Sequence, residues 1–286
     1  MSATVKIPSQ ILKAKYFHTL GITGKNVTVA VLDSGLAPHP DFAAKNIPVA
    51  KDYVHHRSYP YDDCGHGTHV AGILASSKIG IAPEATIIPM KILDENGDGS
   101  VESFTESMKW LLRYHEHYHI RIVNISIGTT KKEYQEENSI LNQWVTRLWQ
   151  AGLIICCSAG NNGPAINSIT APGNCEKIIT VGSYDGKGFS SAGKRSPFIT
   201  KPEIVAPGYH ILSTKPYSGY QIKNGTSMSV PFVSGAIALL LQLNPDLSNE
   251  EIKYHLMNTA RPANRLPAYM QGAGRLELHQ LLQDYL

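Results

Sequence analysis

Apolar, β-branched runs alternate along the chain with segments whose apolar residues recur at helical spacing. Five runs read as buried strands: 26–32 (Asn-Val-Thr-Val-Ala-Val-Leu), 85–93, 121–127, 153–158 and 177–181. They are nearly continuous in apolar character, as expected of parallel strands covered on both faces. Between them, helices are predicted from His66 to Ser77, from Val101 to about His117, from about Ser139 to Gln150 and from about Ser248 to Met257. The second shows its buried stripe at Phe104, Met108, Leu111 and Leu112. The segment Ser227 to Leu243 is apolar nearly all round, which predicts a central buried helix. Pro231 is read as lying in its first turn, where amides lack intrahelical acceptors. This alternation predicts a three-layer α/β/α fold with a mostly parallel central sheet. No repeat, low-complexity stretch or linker divides it, so a single domain over residues 1–286 is expected.

Composition narrows the function classes. The 286 residues are 42% hydrophobic and 17% charged, an ordinary globular balance. A net charge of +3 is too small to argue for nucleic acid or an anionic membrane as partner. Basic pairs such as Lys131-Lys132 and Lys194-Arg195 read as solvated surface. The best candidate for a membrane span, Ala236–Leu243, falls short of the roughly 20 residues required. The first residues, Met1 to Pro8, lack a charged segment followed by an apolar one, so a secretory precursor is not expected, although a mature form is compatible. Cys64, Cys156, Cys157 and Cys175 show neither disulfide-framework spacing nor CxxC. Free thiols in a reducing compartment are the simplest reading, which favours a cytoplasmic over a secreted location.

Three short segments carry candidate chemistry. Val31-Leu32-Asp33-Ser34-Gly35 puts a carboxylate at the carboxyl end of a strand, where open α/β sheets build their sites. Gly65-His66-Gly67-Thr68-His69 puts an imidazole at the start of a helix. Asn224-Gly225-Thr226-Ser227-Met228-Ser229-Val230-Pro231 puts a hydroxyl at the opening of the apolar helix, where free amides and the helix dipole favour developing negative charge. A serine hydroxyl needs a general base within hydrogen-bond reach, and His66 is the candidate. The imidazole needs a buried carboxylate to hold its tautomer and stabilise its cation, and Asp33 fits. In Ser158-Ala159-Gly160-Asn161-Asn162-Gly163, the Asn161 amide could donate to the oxyanion of a tetrahedral intermediate, with the Ser227 backbone amide as second donor.

Taken together and in this order, the motifs resemble those of the subtilisin-like serine peptidases. Supporting segments include His39-Pro40-Asp41, Ala82-Pro83, Asn124–Gly128, Ala171-Pro172-Gly173, Lys201–Gly208 and Gly272–Arg275. The resemblance is strongest toward bacterial intracellular, AprX-like members. It spans residues 25–275, leaving 1–24 as a lead-in segment. It implies a serine endopeptidase acting on polypeptides through Asp33, His66 and Ser227. It further implies a substrate-binding strand at Ser126, Ile127 and Gly128, and a second S1 wall at Ser158, Ala159 and Gly160. A substrate-pairing edge follows at Gly97, Asp98 and Gly99, with Val101 and Ile127 lining S4. Thr170 stands at the base of S1, where many relatives have glycine; small or medium P1 residues are therefore expected. No organic cofactor is implied. Ser76–Gly80 is short where many secreted relatives carry a calcium-binding loop, so that calcium site is expected to be absent. A propeptide or inhibitor is a further candidate partner. Two departures stand out: Ser229-Val230 after the nucleophile, and Cys64 two residues before His66, read either as a thiol open to reagents or as a buried spacer.

Competing readings are weaker. His115-Glu116-His117-Tyr118-His119 satisfies H-E-x-x-H, the zinc-peptidase pattern, but falls at the end of a helix with no third ligand indicated. Asp94-x-Asn96-x-Asp98-Gly99 begins like an EF-hand loop, but position twelve is Thr105. His69 reads as structural. A catalytically silent, peptide-binding scaffold is the alternative of another class, and the complete triad argues against it. General intracellular proteolysis and processing of one precursor both remain open.

Overall fold

The computed structural model describes residues 4–128, 139–185, 188–194, 201–263 and 266–286. Lys131, Lys132 and Arg195 lie outside them. Nine strands are described: β1 (Thr28–Asp33), β2 (Lys51–Asp52), β3 (Thr86–Lys91), β4 (Ile120–Ile125), β5 (Ile154–Ser158), β6 (Ile179–Ser183), β7 (Ile204–Ala206), β8 (Ile211–Thr214) and β9 (Tyr220–Lys223). The helices are α1 (Pro8–Ile11), α2 (Ala14–Thr19), α3 (His66–Ala75), α4 (Val101–Tyr114), α5 (Ile140–Gln150), α6 (Thr226–Leu243), α7 (Asn249–Asn258), α8 (Ala268–Gln271) and α9 (Leu278–Leu282).

Strands β1 to β7 form one parallel sheet in the order β2-β3-β1-β4-β5-β6-β7. Every residue of β1, β5 and β6 is buried, which is why these segments read as unbroken apolar runs. Helices α3 and α6 pack on each other, and α6 also covers β4, β5 and β6; α4 and α5 pair with each other, and α5 packs on β5. The result is the three-layer α/β/α arrangement expected from the alternation. From β1 the chain passes to the edge strand β2 and returns to β3 on one side, then crosses to β4 and proceeds outward to β7 on the other. The switch point therefore lies between the carboxyl ends of β1 and β4, where a crevice opens. Asp33 ends β1 and Ser126 follows β4.

Helix α6 differs from its sequence reading in two ways. It begins at Thr226, so Pro231 is the sixth helical residue and lies beyond the first turn. Proline has no amide to give to the carbonyl four residues back, that of Ser227. The Ser126 hydroxyl donates to that carbonyl instead, at 3.0 Å. The helix also spans 18 residues at a mean hydropathy of 1.5, which meets a length-and-composition criterion for crossing a membrane, contrary to the expectation of none. Its window is 83% buried inside the protein, the pattern of a core helix.

Candidate active site

Helix α3 brings His66 to Asp33 because two backbones approach closely. A Cβ on Gly67 would stand 2.2 Å from the Gly35 carbonyl oxygen and 3.2 Å from Asp33 Cβ, so no larger residue fits. His66 Nδ1 then donates to Asp33 Oδ1 at 2.7 Å, and the Ser34 amide donates to the same oxygen at 2.8 Å. Asp33 is fully buried, while the imidazole is partly open to the crevice. Burial opposes the His66 cation, but the charge and hydrogen bond of Asp33 outweigh it, and the pKa rises above its ordinary value of 6.5.

Asp62 holds this corner together, a role the sequence reading missed. Its Oδ1 accepts from the Ser34 hydroxyl (2.8 Å) and the Cys64 and Gly65 amides (3.2 and 2.7 Å). Its Oδ2 accepts from the Thr68 amide and hydroxyl (2.8 and 2.7 Å). Burial alone would raise its pKa, yet these donors hold it below the usual carboxylate value. An acidic residue four positions before a helical histidine was the available signal; nothing in the sequence separates Asp62 from Asp63. His69, one turn on, is structural as read: its Nε2 donates to the carbonyls of Ile211 (3.2 Å) and Gln221 (3.1 Å). Burial and the nearby Lys223 push it down to about 3, so it stays neutral.

Ser227 is the second residue of α6. Gly225 before it has φ +143°, open to glycine. The Ser227 hydroxyl donates to the Ser126 carbonyl at 2.9 Å, and no hydrogen bond joins it to His66. Asn161 is anchored by its carbonyl: Oδ1 accepts from the Thr226 amide (2.9 Å) and hydroxyl (3.2 Å). Its Nδ2 is thereby left as the donor, beside Gly225. The Gly160 amide donates to the Thr226 hydroxyl (3.1 Å), joining the two loops.

Of the expected pocket residues, Ile127, Gly128, Ser158, Gly160 and Thr170 lie together. A Cβ on Gly128 would lie 3.9 Å from both Gly160 Cα and Thr170 Oγ1, so these three bound one space. Ser158 Oγ donates to the Ile127 carbonyl at 2.8 Å, and the buried Ala159 bonds to Val181, fixing one wall to the other. Gly97, Asp98 and Gly99 form a turn closed by Asp94, and Val101 opens α4 behind Ser100, its N-cap. The Asp94 carboxylate accepts from the Asn96 and Asp98 amides, so the EF-hand-like run is an aspartate-closed turn. Cys64 is half-buried, its Sγ 3.8 Å from where a Gly97 Cβ would stand.

The metal readings meet obstacles. Helix α4 ends at Tyr114, and His119 has φ +51°, so His115 and His119 do not share a helix face. At the 76–80 turn, Asp41 accepts from the Ser76 and Tyr220 hydroxyls and pairs with Lys78 at 3.7 Å. Among the described residues, His55, Asp63 and Glu95 offer ligand atoms within 4.8 Å of one another. All three are exposed, and Asp63 is bound by the Lys91 ammonium at 2.6 Å.

Residues 24–274 match the model of the subtilase family. The chain is 38% identical over 273 residues to serine protease AprX of Bacillus subtilis (strain 168), covering 83% of this chain and 62% of that protein's length. It is 35% identical to subtilisin Savinase of Lederbergia lenta, covering 91% of this chain and 93% of that one. Among solved structures, sphericase superposes with a TM-score of 0.76 at 26% identity, over 89% of this chain and 92% of its own.

Proposed function

The chain belongs to the subtilase family, and from that premise we propose that it is a serine endopeptidase whose triad is Asp33, His66 and Ser227. The observation that carries the reading is the 2.7 Å bond from His66 Nδ1 to a fully buried Asp33 carboxylate. That bond places the proton on Nδ1 and leaves Nε2 as the base. Ser227 attacks the scissile carbonyl after its hydroxyl turns from Ser126 toward His66 Nε2. Substrate pairing along Ser126–Gly128 favours that turn, because the Ser126 carbonyl lies on the strand that receives the peptide. His66 takes the proton and then gives it to the leaving amine, and Asp33 stabilises the imidazolium between the two steps. Asn161 Nδ2 and the Ser227 amide receive the oxyanion. Gly97, Asp98 and Gly99 pair with the acyl half of the substrate, Val101 and Ile127 line S4, and Gly128, Ser158, Ala159, Gly160 and Thr170 enclose the P1 side chain. No organic cofactor enters any step.

Three of the four thiols are buried, and burial pushes Cys156 up to about 12. Their inertness suits a reducing compartment without requiring one. Proteolysis of many proteins and trimming of one precursor use the same chemistry, and a panel of unrelated folded and unfolded proteins separates them.

The test is labelling with a fluorophosphonate, read by intact mass. One adduct is expected on the native protein and none on Ser227→Ala. No adduct on correctly folded protein would reject the assembled triad in favour of a silent peptide-binding scaffold.

A further inference from the structure

Strand β9 runs directly into the nucleophile loop, and its last residue, Lys223, stands four positions before Ser227. Alternate side chains of a strand share a face, so Lys223 looks the same way as Gln221. The Gln221 amide reaches the Gly65 carbonyl at 3.5 Å, immediately before His66. The intervening face carries Tyr220, whose hydroxyl is committed to Asp41, and the exposed Ile222. The strand is held in place from beneath by His69, which donates to the Gln221 carbonyl. Lys223 is thus turned toward the His66 end of the crevice, and its charge is felt there, opposing protonation of both His66 and His69.

Lys223 is half-buried, and its ammonium has neither ion pair nor hydrogen bond among the described residues. Lys91, by contrast, is engaged: it binds Asp63 and the Ser34 and Leu93 carbonyls. The acyl half of a substrate is received by segments 97–99, 126–128 and 158–160, to none of which the β8–β9 hairpin contributes. The leaving amine takes its proton from His66, so the leaving half passes His66 on the flank that remains, that of β9.

We propose that Lys223 is a specificity-determining residue that receives an acidic side chain from the part of a polypeptide substrate just C-terminal to the scissile bond. The proposal rests on the peptidase reading and adds the substrate class to it. A carboxylate arriving beside His66 without compensation would hold the imidazole protonated and inactive as a base. The ammonium of Lys223 both attracts that carboxylate and cancels its field at His66.

The experiment uses internally quenched peptides of one sequence carrying Glu, Gln or Lys at P1′, and a second set varied at P2′. They are cleaved by the native protein, Lys223→Met and Lys223→Glu. In the native protein, kcat/KM for Glu should exceed that for Lys by about tenfold in at least one set, and the ratio should shrink in 0.5 M salt. Lys223→Met should bring the ratio to within about twofold of unity, and Lys223→Glu should invert it. Equal turnover of Glu and Lys peptides by the native protein, or an unchanged ratio in Lys223→Met, overturns the proposal while leaving the peptidase reading intact. Failure to cleave even the Gln peptides would instead remove the peptidase reading, and this proposal with it.

Discussion

His66 must be neutral to act as a base, yet its surroundings favour the cation. Burial works against the charge, but Asp33 at 2.7 Å more than offsets it. The expected consequence is a rise of kcat/KM with pH whose midpoint lies above 6.5, the ordinary value. Asp33→Asn removes the opposing charge and leaves burial and Lys223 in control. Its midpoint should fall below that of the native protein, and its turnover should drop by about 10⁴-fold through the wrong tautomer. A profile flat between pH 5 and 8 would eliminate His66 as the base. The same shift has a stability sign. A histidine raised by a partner stabilises the fold fully below about 6.5 and loses that contribution as pH rises through the folded pKa, so the ion pair is weakest where the enzyme is most active. At this scale the proposed site could be read from the sequence because Asp33, His66, Asn161 and Ser227 each sit in a short motif whose role is local. Lys223 was not, because its meaning comes from the strand beside it and from the absence of an anion, and neither is written nearby.

Elements meet at the site through polar side chains, and these were harder to read. The helix starts were close: Ser139 and Ser248 cap α5 and α7 one residue before them, the latter as a capping box with Glu251. Strands β7 to β9 escaped because they are short, and β9 is only half-buried, so no apolar run marks them. Asp62 shows why local pattern is insufficient. It ties the turn after β1, the loop before α3 and the first turn of α3 through five donors from Ser34, Cys64, Gly65 and Thr68. Asp62→Ala leaves those donors buried and unpaired, at a cost of about 2–4 kcal/mol. It also frees the segment that aims His66, so kcat should fall more than KM rises. The lowered pKa of Asp62 sets the pH sign: its contribution is present above about 3.8 and is lost as pH falls through the folded value. Denaturant midpoints of native and mutant protein should therefore differ at pH 7, and the difference should shrink only as the pH is taken below about 3.8. A constant difference would show that packing, rather than the carboxylate, is what the mutation removes.

Across the whole molecule, lysine ammonium groups occupy the places where oxygen atoms gather. Lys91 Nζ lies within 3.0 Å of two carbonyls and Asp63. Lys201 Nζ, buried beneath the sheet edge, is bound by the Ile178 carbonyl, the Thr180 hydroxyl and Glu203 at 2.9–3.0 Å. Lys253 reaches from α7 to Glu203 and to the Glu176, Lys177 and Ile178 carbonyls, joining the outer layer to the sheet. Lys78 stands at Asp41 by the 76–80 turn. Clusters of carboxylate and carbonyl oxygen are what a calcium ion requires, and a lysine already in place supplies the charge without a free ion. Stability should therefore be indifferent to calcium. A site filled at 100 times its Kd would add about 2.7 kcal/mol. For a chain of this size that is a rise in Tm of roughly 5–10 °C. Melting in millimolar calcium and in excess chelator should instead agree to within about 2 °C, well below the shift such a site would give. Lys201→Met, which takes from the buried Glu203 carboxylate one of its two ammonium partners, should lower stability by about 3 kcal/mol in either buffer. A native Tm that climbs steeply with calcium would mean that the stabilising cation comes from solution and that the lysines are secondary.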